Sequence, residues 1–241
     1  MLLLCSIVKN KQMASKRPST WKVWVEVFFR IGLLGFQVAL FFIILYRIVP
    51  IPITPLMVLR GLPYEKTWVP FEEIHPLVVK AAITAEDPKF NSHYGFDFAA
   101  IQESIEKSID KGKKPKGRST ISQQTTKNLF FGTRRSWVRK GLEVPLTVCV
   151  ETFWNKRRII EVYLNIIEMG SKVYGIEAAS KKYFKKSAAK LNKAEAVAIV
   201  ICFPNPIKRI PNKLTGSLRK KQATIQRWMI GYEPAPKWWW E

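Results

Sequence analysis

The chain has 241 residues, of which 47% are hydrophobic, so it can form one domain with a core and is too apolar for general disorder. Lysine and arginine number 40 against 18 aspartates and glutamates, and the net charge of +22 indicates an anionic partner such as nucleic acid, a membrane surface or a phosphate-bearing substrate. The three cysteines, Cys5, Cys149 and Cys202, are too few for a disulfide scaffold and lack the C-x-x-C spacing of a zinc site. We therefore expect Cys149 and Cys202 to be buried free thiols.

An uncharged segment near the N-terminus predicts a transmembrane helix. Residues 31–46 read IGLLGFQVALFFIILY, and a helix over residues 31–49 would measure roughly 28 Å, close to the hydrocarbon core of about 30 Å. A buried core helix is disfavoured because the segment is apolar on all sides. A cleaved signal peptide is disfavoured because no small-residue cleavage site follows, only VPIPITP.

The distribution of basic residues predicts the orientation of this helix. Residues 1–30 are rich in lysine and arginine, whereas few cations follow the span, so the positive-inside rule places the N-terminus in the cytoplasm and the rest of the chain outside. The domain after the span is itself strongly basic. That location is hard to reconcile with nucleic-acid binding and favours a phosphate-bearing lipid as the substrate.

Beyond the span, a proline-rich connector over residues 50–70 leads into a series of predicted helices. Apolar periodicity, capping residues and prolines predict helices over residues 76–87, from Asp97 through Ile101, Ile105 and Ile109, from Ser119 or Thr120 to Phe130, and over residues 139–153, 157–167 and 192–203. A basic loop over residues 111–118 interrupts them, and a basic helix with a Trp-rich tail occupies residues 213–241. Because alternating strand patterns are nearly missing, we predict an all-α domain over residues 71–212.

One carboxylate, Glu86, lies at the end of an apolar helix. Burial would raise its pKa and suit it to act as a general base, although Lys89 and His93 could offset that shift. The alternative is an ordinary solvated helix terminus.

Polar side chains repeat along the next helix. Thr120, Gln124 and Lys127 are spaced i, i+4 and i+7, which predicts one stripe able to bind sugar hydroxyls and a phosphate. Arg134, Arg135, Arg139 and Lys140 follow, and Arg139 can pair with Glu143 at i+4. The alternatives are a solvated helix face and a surface run of cations.

The segments EDPKFNSHYGFD, GRSTISQQTTKNLF, RKGLE and KRRIIEVYLNIIEMG resemble, in order and spacing, four motifs of the peptidoglycan glycosyltransferases of glycosyltransferase family 51. These are lysozyme-like enzymes that polymerise lipid II, and the likeness covers roughly residues 65–212. The membrane helix and the lack of a following transpeptidase domain resemble the monofunctional members. The chain departs from the family pattern at Pro88, usually glutamine, at Gly117-Arg118, often Gly-Gly, and at Thr126, often alanine.

The resemblance implies roles by position. Glu86 matches the general base that deprotonates the 4-hydroxyl of the acceptor, and Glu143 matches a second essential carboxylate. Lys127, Arg135 and Arg139 match cations around the donor pyrophosphate. Other matched positions line or shape the cleft: Asp87, Phe90, His93, Ser119, Thr120 and Gln124. Glu161, Tyr163 and Asn165 match the fourth motif, which we expect to be mostly structural, and Glu195 is expected to support a helix.

The resemblance implies an inverting transfer of the growing lipid-linked chain to lipid II at the periplasmic face of the inner membrane. The resemblance implies no definite cofactor. It is compatible with a divalent cation, Mg or Mn, and with contacts to other cell-wall synthesis or division proteins. Two alternatives remain at this stage. One is a membrane-anchored lytic enzyme on the same scaffold, and the other is a non-catalytic basic protein that binds lipid or cell wall.

Overall fold

The computed structural model describes residues 19–110, 112, 119–132 and 136–231. Arg134, Arg135, most of the basic loop over residues 111–118, the first 18 residues and the Trp-rich tail lie outside the described residues. The chain divides into two units, residues 1–41 and residues 42–241. The second unit holds every site residue considered below.

Helix α1 (Thr20–Leu45) begins earlier and ends earlier than the predicted span over residues 31–49. It is long and apolar enough to cross a membrane, and an 18-residue window within it has a mean hydropathy of 2.2. Residues 46–49 form turns instead of continuing the helix. Two physical reasons apply: Pro50 disfavours helical geometry just before it, and Arg158 donates hydrogen bonds to the carbonyl oxygens of Tyr46 and Val49 at 3.0 and 2.7 Å.

The second unit is mainly helical, as predicted. Its helices are α2 (Pro55–Arg60), α3 (Pro76–Glu86), α4 (Phe98–Asp110), α5 (Ile121–Phe130), α6 (Trp137–Phe153), α7 (Lys156–Ile166), α8 (Ile176–Phe184), α9 (Lys193–Val200) and α10 (Gly216–Trp228). Helix α5 packs against α6 and α7, while α3 packs against α9 and α10. The core includes the fully buried side chains of Phe90, Tyr163 and Tyr174.

Several helix starts follow directly from the sequence. Thr120 and Gln123 form a capping box at the start of α5, and Asn192 and Glu195 form the predicted capping box at the start of α9. The Nδ1 atom of His75 accepts a hydrogen bond from the backbone of Leu77, which caps α3. These caps satisfy backbone donors that the first turn leaves without helical partners.

The sequence pattern predicted neither helix α2, which lies in the expected connector, nor helix α8, nor a small sheet. Strand β1 (Glu65–Lys66) pairs in parallel with β3 (Val173–Tyr174), and β2 (Glu168–Gly170) pairs with β3 in the antiparallel sense. Gly175 follows β3 with a φ of 81°, and a Cβ there would lie 2.7 Å from the carbonyl oxygen of Asn165. Glycine is therefore required where this strand turns back over α7.

The regularly spaced isoleucines of helix α4 lie on an exposed surface. Ile101, Ile105 and Ile109 are 41%, 44% and 75% exposed, and α4 buries none of its residues. Cys149 and Cys202 are free, as expected, but only Cys202 is buried, and burial raises its pKa to about 11.

Candidate active site

Glu86 is the last residue of α3, where it meets the first turn of α5. The Nε2 amide of Gln124 donates a hydrogen bond to Oε2 of Glu86 at 3.2 Å and another to the carbonyl oxygen of Ser119 at 3.2 Å. The hydroxyl of Tyr163 donates to Oε1 of Gln124 at 3.3 Å. Burial, followed by the charges of Glu86 and Asp87, raises the pKa of Tyr163 well above its ordinary value, so the phenol stays a donor. Tyr163 thus orients Gln124, and Gln124 orients the carboxylate of Glu86.

A second carboxylate, Glu143, lies on α6 among cations. Arg139 pairs with Oε1 of Glu143 as the i, i+4 spacing predicts, and the ammonium of Lys140 lies 3.1 Å from Oε2. The side chain of Glu143 is only 3% exposed, and each of its two carboxylate oxygens has a cationic partner. Lys140 also reaches 3.5 Å from the exposed hydroxyl of Ser119, which joins the start of α5 to α6.

Lys127 lies in the electrostatic field of both carboxylates. Burial lowers its pKa, the charge of Glu143 opposes that shift, and the charges of Arg139 and Lys140 add to it. The charge of Glu86 also raises the pKa, by a smaller amount. Lys127 therefore links the Glu86 end of the site to the cations around Glu143.

A cavity of about 340 Å³ opens beside Lys127 and Arg139. We call it the cation cavity, because Arg60, Lys127 and Arg139 line it together with Gln124, Asn128, Tyr163, Glu168 and the turn over residues 203–207. Two buried atoms of lining residues, Nε of Arg139 and Oε1 of Glu168, have no hydrogen-bond partner among the described residues.

Glu168 is a carboxylate of this cavity that sequence reasoning did not select. Burial raises its pKa, and the guanidinium of Arg60, 3.3 Å away, opposes that rise. Its position in the fourth motif was the only available signal, and that motif was expected to be structural. Tyr163 was also expected to be structural, yet it lines the cavity and its hydroxyl donates a hydrogen bond to Gln124.

Four other predicted site residues face the interior. The carboxylate of Asp87 is 4% exposed and lies 3.0 and 3.1 Å from Nε2 of His93, and it accepts the backbone N–H of Ile121 at 2.9 Å. The hydroxyl of Thr120 donates to the carbonyl oxygen of Gly95 at 2.6 Å. Phe90 is fully buried. The structure thus brings Gln124 and Lys127 of the predicted stripe to the cleft and turns Thr120 inward.

A buried ion pair supports this region and was not predicted. The ammonium of Lys156 lies 2.7 Å from Oε1 of Glu151 and 2.6 Å from the carbonyl oxygen of His93. Ser122 donates to the same Glu151 oxygen, and burial lowers the pKa of Lys156, which the charge of Glu151 opposes. The two residues are separated by the break between α6 and α7, so no helical spacing identifies them.

Two further expectations concern Arg135 and a metal ion. Arg135, expected near the pyrophosphate, lies outside the described residues. In the described part of the chain, no three His, Cys, Asp or Glu side chains form a group that could hold a metal ion.

Comparison with known proteins shows the family to which the chain is similar. A family model described as Transglycosylase matches residues 56–230. A biosynthetic peptidoglycan transglycosylase of Bdellovibrio bacteriovorus is 47% identical over 215 residues, covering 84% of this chain and 86% of that protein. Proteins of the same name from Caulobacter vibrioides and Pasteurella multocida are 50% identical over 169 residues and 40% identical over 234 residues. These matches cover 69% and 91% of this chain and 73% and 95% of the two relatives.

Proposed function

The chain belongs to the Transglycosylase family and is a peptidoglycan glycosyltransferase, and we propose that it extends glycan strands by inverting transfer of the growing chain onto lipid II. The observation that carries this proposal is the separation of charges in the cleft. One carboxylate, Glu86, is held by Gln124, while Lys127 and Arg139 line the cation cavity. A base on one side and cations on the other are what a single displacement at a sugar carbon needs.

In the proposed reaction, Glu86 accepts the proton of the 4-hydroxyl of the acceptor lipid II. The acceptor oxygen forms a bond to C1 of the donor sugar, and the bond between C1 and the pyrophosphate oxygen breaks with its electron pair going to the leaving group. The configuration at C1 is inverted because attack and departure occur on opposite faces. Gln124 holds the carboxylate of Glu86 in place for the proton transfer.

Lys127, Arg139 and Arg135 stabilise the charge that grows on the leaving pyrophosphate. By analogy with an oxyanion donor, each positioned cation supplies roughly 2.7–4 kcal/mol in the transition state. Glu143 positions Arg139 and Lys140, since it contacts both and is buried behind them. A hydrolase on this scaffold would need no such set of cations at the leaving group, so the lytic alternative is not favoured.

We place the catalytic domain on the periplasmic side of the inner membrane, with α1 as its single span and the N-terminus in the cytoplasm. The length and hydropathy of α1 and the basic residues before it support this arrangement. An anchored enzyme meets its lipid-linked donor and acceptor in the same membrane leaflet. The proposed partners are therefore lipid II, the nascent glycan strand and the membrane, with other cell-wall proteins as additional contacts.

The test is polymerisation of labelled lipid II by the detergent-solubilised full chain, with products separated by size. We expect long glycan from the unmodified protein and a loss of roughly 10²–10⁴-fold in rate for Glu86→Gln. Glu73→Gln is the matched control, since Glu73 is an exposed carboxylate before α3. Equal polymer from Glu86→Gln would remove Glu86 as the base, and bound but unpolymerised lipid II in the unmodified protein would favour a binding role.

A further inference from the structure

The cation cavity contains an arginine that lies outside the four sequence motifs. Arg60 is the last residue of α2, the short helix in the connector, and it lines the cavity together with Lys127 and Arg139. Packing fixes α2 there, because Leu56 and Met57 are buried and the helix contacts α5, which carries Lys127. The fold therefore adds Arg60 to the cations at the space that we assign to the donor pyrophosphate.

A single ion pair holds the guanidinium of Arg60. Its Nη2 atom lies 3.3 Å from Oε2 of Glu168, which is its one side-chain partner among the described residues. The other N–H donors of the guanidinium remain available to a different acceptor. The side chain of Arg60 is 38% exposed, against 17% for Arg139, which pairs with the buried Glu143. Of these two arginines, Arg60 is therefore the one that a ligand reaches more easily.

The chemistry of the pair favours an exchange of partners at Arg60. A guanidinium can bind two phosphate oxygens at once, whereas Glu168 makes a single contact with it. Glu168 need not remain an unpaired buried anion when Arg60 turns away, because burial raises the pKa of its carboxyl and the charge of Arg60 opposes that rise. Without Arg60 the carboxyl thus takes up a proton more readily. Glu143 differs, since Arg139 and Lys140 both contact it.

We infer that Arg60 changes partners in every catalytic cycle: it binds the pyrophosphate of the donor, and it returns to Glu168 when the lipid pyrophosphate leaves. The inference rests on the proposed function. Glu168 then competes with the pyrophosphate for Arg60, because only the molecules in which Arg60 has left Glu168 bind the donor at full affinity. A polymerising enzyme must release this product at each step, so a competing carboxylate in the cavity speeds turnover where release limits the rate.

The experiment uses the full-length protein and two substrates that react only once. The donor is a labelled lipid-pyrophosphate disaccharide whose 4-hydroxyl is replaced by hydrogen, so it cannot accept. The acceptor is the disaccharide-peptide as a methyl glycoside, which has no leaving group. Initial rates give separate KM values for donor and acceptor, and added lipid pyrophosphate gives the inhibition constant of the released product.

The two partners should have opposite effects on the donor. Arg60→Gln should raise the donor KM by roughly five- to thirtyfold and leave the acceptor KM unchanged, and Arg60→Lys, which keeps the charge without the planar fork, should lie between. Glu168→Gln should lower both the donor KM and the inhibition constant of lipid pyrophosphate by roughly three- to tenfold, and kcat should fall because release slows. Arg219→Gln is the matched control, because Arg219 is an exposed arginine on α10.

The double variant Arg60→Gln/Glu168→Gln separates an exchange at Arg60 from direct repulsion of the pyrophosphate by Glu168. If Glu168 acts through Arg60, then Glu168→Gln changes the donor KM of the unmodified protein and has no effect on that of Arg60→Gln. An equal decrease in both backgrounds would overturn the inference.

Other results would overturn it as well. These are an unchanged donor KM in Arg60→Gln and Arg60→Lys, a rise in the acceptor KM alone, and a rise in the donor KM for Glu168→Gln, which would make Glu168 only a support for Arg60. A loss of folded protein lowers the apparent kcat and leaves both KM values in place, so it cannot imitate the expected result. If the unmodified protein forms no coupled product, the proposed function itself fails, and that outcome depends on no variant of Arg60 or Glu168.

Discussion

Replacing Asp87 distinguishes a structural carboxylate from one that contacts substrate. The motif resemblance assigns Asp87 to the lining of the cleft, whereas its carboxylate is 4% exposed and bonds inward to His93 and Ile121. These bonds join the segment after α3 to the first turn of α5. We predict that Asp87→Ala acts mainly by destabilising the fold.

The magnitude follows from the two partners. A hydrogen bond to a charged group contributes about 1.5–3 kcal/mol to the free energy of unfolding, and a buried donor left without an acceptor costs about 1–3 kcal/mol. Asp87→Ala removes the acceptor of both the His93 ring and the Ile121 N–H, so we expect a loss of about 3–5 kcal/mol. Asp87→Asn keeps one oxygen as an acceptor and should lose roughly half as much.

The assay is thermal unfolding of the full chain in detergent, followed in parallel with polymerisation of lipid II. For a domain of this size, a loss of 3 kcal/mol lowers Tm by roughly 6–12 °C. Asp110→Ala, an exposed carboxylate at the end of α4, should leave Tm unchanged within about 2 °C. An unchanged Tm for Asp87→Ala together with lost polymerisation would refute the structural role and would indicate that Asp87 contacts the substrate.

Two further predictions concern buried lysines. Burial lowers the pKa of Lys127, so its ammonium loses its proton at a lower pH than an ordinary lysine does. Activity should therefore fall as pH rises through that lowered pKa. Lys127→Arg should move the alkaline limb of the pH–rate profile to higher pH, because arginine keeps its charge. An alkaline limb that does not move would exclude Lys127 as its source. In urea unfolding, Lys156→Met should lower the free energy of unfolding by about 3–5 kcal/mol, because it leaves Glu151 buried without its cation. Adding Glu151→Gln should recover part of that loss. Strict additivity of the two changes would contradict this pairing.

Contacts between near neighbours in the chain could be predicted from the sequence. The pair of Arg139 and Glu143 follows from four-residue spacing, and the capping boxes at Thr120 and Asn192 follow from residue type three positions before a glutamine or glutamate. The bounds of α5 and α7 agree with their apolar periodicity to within about a residue. Such features depend only on helical geometry, which the sequence determines locally.

Contacts between distant segments could not be predicted in this way. Gln124 contacts Glu86 across 38 residues, and a helical pattern gives no direction for a side chain relative to another helix. The strands β1 and β3 have two residues each, which is too short for an alternating apolar and polar pattern to be recognised in the sequence. The inward turn of Thr120 is another such case, because its hydroxyl donates to the carbonyl oxygen of Gly95, 25 residues earlier in the chain.

The proposed catalytic geometry gives different roles to two adjacent carboxylates, Glu86 and Asp87. Asp87 has left the helix, with its N–H still bonded to the carbonyl oxygen of Ile83, and its side chain is fixed between His93 and α5. Glu86 is one residue earlier and lines a cavity of about 500 Å³ between α3 and α10. Since its own helix and the next residue are both held, Glu86 has little backbone freedom, and Gln124 limits its side chain as well. If Glu86 is the base, as we propose, these restraints mean that it needs little reorganisation before it takes a proton, which is the condition that preorganised catalysis requires.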